Sequence, residues 1–189
     1  MGRIHLHKFG GSSLADADCY RRVVHILLTH GHSDDLVVVS AAGKTTNALY
    51  RLLALKQTGE LWQQSLDELC SYQQELIEQL LSHEQAQSLR ERLSSDKSQL
   101  ISILKLSNIS QYRQNQLLSF GERWSAQLMA ALLRESGVAA RHLDACQVLV
   151  AEDGPVPQIK TDISRQKLQQ FLTEYPEQRI VITGFICAN

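Results

Sequence analysis

Residues Leu36-Val37-Val38-Val39 form an unbroken apolar run that starts after Asp34-Asp35 and stops at Ser40. A strand with one wet face alternates apolar and polar residues. A strand that does not alternate is covered on both sides, as in a parallel sheet flanked by helices. Parallel strands cannot be joined by tight hairpins, so helical crossovers must lie between them. The flanking sequence has that form. Ile4–Phe9 alternates as a strand, and Leu14–Thr29 follows with a helical stripe of Leu14, Val23, Val24, Ile26 and Leu27 ending at Gly31. Past Ser40, Thr45 or Thr46 is placed to cap a helix carrying Leu49, Leu52, Leu53 and Leu55.

The alternation returns later. Ala139–Leu143 and Gln147–Val150 read as strands, Gly154-Pro155-Val156-Pro157 as a turn, Ser164–Thr173 as a helix and Arg179–Phe185 as a last strand. Strands alternating with helices predict an α/β fold: a three-layer open, mostly parallel sheet with helices on both faces. Between about residues 60 and 113 there is no glycine or proline. The spacing of Leu66, Leu69, Leu76, Ile77, Leu80 and Leu81 predicts helices there, breaking near Ser82-His83 and Ser107-Asn108, with another helix over Ser119–Glu135. The simplest role for this helical excursion is to fill space against the sheet.

Composition excludes several function classes. A formal net charge of -1 provides no basic field for nucleic acid. No apolar run approaches the roughly 18–20 residues of a membrane helix. Met1-Gly2-Arg3-Ile4-His5 has no apolar core of a secretory signal. Cys19, Cys70, Cys146 and Cys187 form no CxxC pair, which reads as free thiols in a reducing, cytoplasmic setting.

The densest chemistry lies in Lys8-Phe9-Gly10-Gly11-Ser12-Ser13. A strand that turns through two glycines into a helix start gathers backbone N–H donors and a positive helix end, and Lys8 adds a full charge. Such a place holds phosphate oxygens, so phosphoryl transfer is the chemistry to test. Ser40-Ala41-Ala42-Gly43-Lys44-Thr45 looks like a Walker A loop but has Val38 where that motif needs glycine. What remains is a strand end with Ser40, Thr46 and Asn47, suited either to a small polar substrate or to plain helix capping. Glu122 sits on the apolar face of a helix with Leu118, Ser125, Ala126 and Met129. A buried carboxylate needs a partner, either a structural cation or a substrate ammonium. Gly121 beside it permits close backbone approach. His5 and His7 share a strand face without an apparent third metal ligand, and the other histidines are scattered.

Four stretches together resemble the aspartate kinase family of the amino-acid kinase fold: Lys8–Asp16 (KFGGSSLAD), Val38–Asn47 (VVSAAGKTTN), Phe120-Gly121-Glu122 and Val181–Asn189 (VITGFICAN). The first two and the closing TGFI are most similar to the aspartokinase part of bifunctional aspartokinase/homoserine dehydrogenases, the methionine-linked type. The resemblance implies that residues 1–189 are the N-terminal, amino-acid-binding half of a kinase domain. It implies that Lys8 contacts the transferring phosphate and that Gly10, Gly11 and Ser12 form the phosphate loop. Ser40, Thr46, Asn47 and Gly184 would line the amino-acid side, with Glu122 on the α-ammonium. The implied reaction takes ATP and L-aspartate to ADP and 4-phospho-L-aspartate with magnesium (Mg2+), in a protein expected to form a homo-oligomer. NADP would enter only through a dehydrogenase part. The family's LGR-G-SDY-type segment, nucleotide half and ACT domains are not in these residues, so the chain alone is expected to be inactive. Two other readings are a non-catalytic amino-acid-binding or assembly module, and a kinase of another acidic amino acid.

Overall fold

The computed structural model describes residues 5–32, 35–152 and 158–184. Four strands, β1 (Leu6–Phe9), β2 (Leu36–Val39), β3 (Ala140–Leu143) and β6 (Arg179–Thr183), form one parallel sheet in the order β1-β2-β6-β3. A separate two-residue ladder pairs β4 (Ala151–Glu152) antiparallel with β5 (Gln158–Ile159). Lys8, Val38 and Ile182 are aligned across the sheet, so the strands finish at a common edge.

Alternation along these strands creates two faces. Val37, Val39 and Val181 join the larger core with α1 (Ala17–His30), α2 (Thr45–Thr58), α3 (Gln63–Leu80), α4 (His83–Leu104) and α5 (Gln111–Glu135). Ile180, Ile182 and Leu143 face the other way, packed with Leu168, Phe171 and Leu172 of α6 (Thr161–Glu174). Helices on both faces are therefore observed, as expected from the uninterrupted Leu36–Val39 run. The two faces differ in coverage: Val37 and Val39 are fully buried, whereas Leu36 and Val38 are only half-buried. The helical excursion is not a satellite. Leu66, Leu69 and Leu76 of α3, Leu93 and Leu100 of α4, and Leu117, Phe120 and Met129 of α5 belong to one continuous core.

Several boundaries differ from expectation for local reasons. The helix expected from Leu14 is split. Gly11–Leu14 forms a single 3-10 turn, and α1 begins after Asp16, whose side chain accepts from the Cys19 N–H at 2.8 Å. An aspartate at the N-cap satisfies a helix amide that no backbone carbonyl can reach. α5 starts at Gln111 rather than Ser119, with Ser110 as its N-cap. Gln147–Val150 is not a strand. The Asp144 side chain accepts from the Cys146 N–H at 3.0 Å and folds Ala145–Gln147 into a 3-10 turn instead. The Gly154–Pro157 turn, Cys187 and the residues after Gly184 lie outside the described residues. Cys19 and Cys70 are free thiols, and no described helix is long and apolar enough to cross a membrane.

Candidate functional site

Backbone hydrogen bonds tie together the loops that leave β1, β2 and β6. The Ser40 N–H donates to Phe9 O at 3.0 Å, the Gly43 N–H to Gly11 O at 3.0 Å, and the Gly184 N–H to Val39 O at 2.8 Å. Gly11 is needed by contact: a Cβ there would lie 2.8 Å from Ala41 O and 3.0 Å from Gly43 O, both backbone atoms. At Gly10 a Cβ would meet nothing within 4 Å. Gly10 therefore faces open space while Gly11 joins two loops. Lys8 is exposed and one residue from the end of β1, with its register partner Val38 two residues before Ser40. Strand alternation sends the Lys8 side chain to the Val38 and Ile182 side, away from α5.

Glu122 approaches the same edge from α5. A Cβ on Gly121 would lie 2.8 Å from Ala41 Cβ and 3.2 Å from Thr45 Cγ2, so the helix backbone rests directly on the loop after β2. Glu122, 7% exposed, follows immediately. Burial pushes its carboxyl above the usual carboxylate range, opposed by the amides of Glu122 itself and Ala41. Among the described residues no cation forms an ion pair with it. The expected small-residue face is present: Ser125 and Ala126 are buried, and Ser125 Oγ shares a 2.7 Å hydrogen bond with Tyr20 Oη that fixes α5 against α1.

The loop after β2 feeds α2. Neither Thr45 nor Thr46 caps it, contrary to expectation. The N-cap is Lys44, whose side chain has no acceptor to cap with, and the buried Thr45 hydroxyl, inside the helix, accepts from Gln73 Nε2 at 2.8 Å. No acidic residue lies in the first turn, so the positive end of α2 stays open to an anion beside Thr46 and Asn47. Ser40 and Thr46 are half-buried and Asn47 is exposed. The other helix end expected here is absent. Gly10-Gly11 leads into a 3-10 turn, and the α1 N-terminus is occupied by Asp16. The glycine turn therefore offers an anion Lys8 and turn amides rather than the end of a helix dipole.

The structure thus brings the ends of β1, β2 and β6, Glu122, and the start of α2 to one edge. His5 and His7 lie elsewhere, beside Asp35 at the opposite end of β1. The Asp35 carboxylate accepts from the His5 N–H at 3.0 Å, from the His32 N–H at 2.7 Å, and pairs with His7 Nε2 at 2.9 Å. No group of three His, Cys, Asp or Glu side chains suited to a metal occurs among the described residues. Two residues at the site escaped sequence reasoning: Gln73, and Tyr72, whose hydroxyl donates to Ala15 O at 2.9 Å. Gln73 did leave a signal. It is the one polar member of the stripe Leu66, Leu69, Gln73, Leu76, Leu80.

Comparisons with known proteins bear on the family and the fold. The family model described as "Amino acid kinase family" matches residues 3–189. The bifunctional aspartokinase/homoserine dehydrogenase 2 of Escherichia coli (strain K12) is 44% identical over 185 residues, which are 97% of this chain and 23% of that relative. The lysine-sensitive aspartokinase 3 of the same strain is 30% identical, with 98% of this chain and 41% of that relative covered. The crystal structure of E. coli aspartokinase III with aspartate and ADP matches with a TM-score of 0.85 at 26% identity, over 98% of this chain and 41% of that one. The chain spans less than half the length of each of these relatives. On the family match along nearly its entire length and the sheet and strand-end loops described above, this chain belongs to the amino acid kinase family.

Proposed function

We propose that this chain is the amino-acid-binding half of an aspartate kinase, within a longer protein that also carries a homoserine dehydrogenase. The activity is ATP-dependent phosphorylation of the L-aspartate side-chain carboxylate to 4-phospho-L-aspartate. The observation that carries the reading is Glu122: a buried carboxylate with no ion-pair partner among the described residues, held at the strand ends. A substrate α-ammonium supplies the missing charge, and an N-acylated acceptor would not.

The remaining roles follow from charge and position. The open end of α2, with Thr46, Asn47 and Ser40, offers donors to the substrate carboxylates. The acceptor carboxylate is already ionised, so no general base is needed. Catalysis rests on aligning it with the phosphate and on neutralising charge over the transferring oxygens. Lys8 provides that neutralisation, and the unfilled space over Gly10 admits the phosphates. Magnesium, when bound with the nucleotide, would shield the phosphate charges; the described residues offer no protein cage for it. Homo-oligomer formation by the complete protein is part of this proposal and is checked by light scattering.

The test is Lys8→Ala in the complete protein. Loss of one positioned charge at the transferring phosphate should lower kcat by about 10²–10³-fold, with an unchanged circular dichroism spectrum. Turnover equal to wild type would remove Lys8 from the mechanism.

A further inference from the structure

We infer that the helical excursion controls the candidate site, with Gln73 and Tyr72 of α3 as positioning residues for the aspartate loop and the glycine loop respectively. This deepens the proposed function and rests on it.

Gln73 is 3% exposed and Thr45 is 1% exposed, and a 2.8 Å hydrogen bond joins them. A buried amide is costly unless bonded, and a leucine would suit that stripe better for packing alone. The bond determines how Thr45 stands. Its hydroxyl is held by Gln73 while its methyl lies against Gly121, where an added Cβ would be only 3.2 Å away. Threonine is stiff at χ1, so a single rotamer has to satisfy both contacts. Thr45 thereby connects α3 to the backbone beside Glu122. It sets how far Thr46 and Asn47 stand from the carboxylate proposed to hold the ammonium.

Tyr72 acts one residue away on the other loop. Its hydroxyl donates to Ala15 O at 2.9 Å and lies 2.8 Å from where a Gly43 Cβ would be. The Gly43 N–H in turn donates to Gly11 O. Beside this junction is an open groove of about 440 Å³ lined by Gly43, Lys44, Thr45, Arg51, Glu68 and Tyr72. The loop is therefore packed against α5 on one side, through Ala41 and Thr45, and open to the groove on the other. On the groove side hydrogen bonds from α3 hold the junction, and adjacent residues of one helix reach both loops.

The experiment uses the complete protein. Gln73→Met keeps length and volume but removes the donor. Loss of one buried hydrogen bond should raise KM for aspartate about tenfold, leaving kcat and KM for ATP within about twofold. Thr45→Val removes the same bond from the other side, so the double variant should be no worse than the poorer single one. Tyr72→Phe should instead lower kcat about tenfold while sparing KM for aspartate. Amide exchange over residues 41–47 should speed up in Gln73→Met with or without substrates. A Gln73→Met protein that is less stable yet has unchanged KM and unchanged exchange overturns the inference, as do additive effects in the double variant. If Gln73→Met does not fold, Thr45→Val alone decides, with an unchanged KM against the inference. A wild-type protein without aspartate-dependent ADP release would refute the proposed function, and the exchange measurement would still judge the positioning role.

Discussion

Glu122, the residue the proposed function sets against a substrate ammonium, is costly to the fold on its own. Burial raises its carboxyl above the usual range, so the folded state binds a proton more tightly than the unfolded chain. By linkage, such a group lowers stability as pH rises from its unfolded value through its folded one. Glu122→Gln should therefore raise the urea midpoint of the unliganded protein at pH 7, with the gain shrinking in mild acid. The same change should weaken aspartate binding roughly 10–100-fold, because it removes one partner of a charged pair. Calorimetry and urea titration check the two halves, and a variant that is both less stable and undiminished in binding would contradict them. The glycines separate in the same way. Gly11→Ala forces a Cβ to 2.8 Å from a backbone oxygen and should destabilise by about 1–3 kcal/mol. Gly10→Ala meets no neighbour and has an extended backbone at φ -80°, so its stability should stay within about 0.5 kcal/mol of wild type. Its activity should fall, because the methyl projects into the space assigned to phosphate. A stable, fully active Gly10→Ala protein would move the phosphate elsewhere.

At the scale of elements, the strands are anchored at the end remote from the site. The buried Asp35 precedes β2 and binds the His5 and His32 amides and the His7 ring. Burial alone would raise its carboxyl, but the His32 amide, the His7 side chain and the His5 amide outweigh it and hold it well below the usual range. A depressed folded pKa contributes stability above the unfolded value that is lost on acidification. Asp35→Asn should thus cost about 1–3 kcal/mol at pH 7, with the difference from wild type closing below about pH 4. Urea midpoints across pH 3–7 measure this, and a pH-independent gap would exclude the linkage. Arg179 anchors the neighbouring strand: its buried guanidinium donates to Leu27 O at 3.1 Å and His32 O at 2.6 Å, joining β6 to the end of α1. Most elements were legible from spacing. α5 was not legible over its first turns because Gln111–Gln116 has little apolar periodicity, and only the Ser110 cap and packing near Leu117 extend the helix there. Gln147–Val150 failed for the opposite reason. Its apolar residues fit a strand, but Asp144 diverts the backbone into a turn.

On the scale of the whole molecule, one continuous core joins α1 to α5 with the sheet, while α6 covers the opposite face in part. Leu6 is 65% exposed on that second face. The proposed half-kinase has an amino-acid side and no second lobe among the described residues. The 189 residues purified alone should therefore show no aspartate-dependent ADP release above background in a coupled assay. Robust release would show that no further lobe is required.

What the amino-acid order determined by itself is what neighbours in sequence can enforce. Alternation made the strands, the valine run implied cover on both faces, and Lys8-Phe9-Gly10-Gly11 marked a turn with a charge beside it. Tertiary structure alone decided the rest. It placed β6 between β2 and β3, set Glu122 beside Ala41, and turned Gln73 onto Thr45. Gln73 and Thr45, for example, are 28 positions apart and meet only because α2 and α3 pack together. Local backbone preference carries no information about such distances. Only the shape of the shared core selects among them, because it is there that most buried polar groups meet their partners.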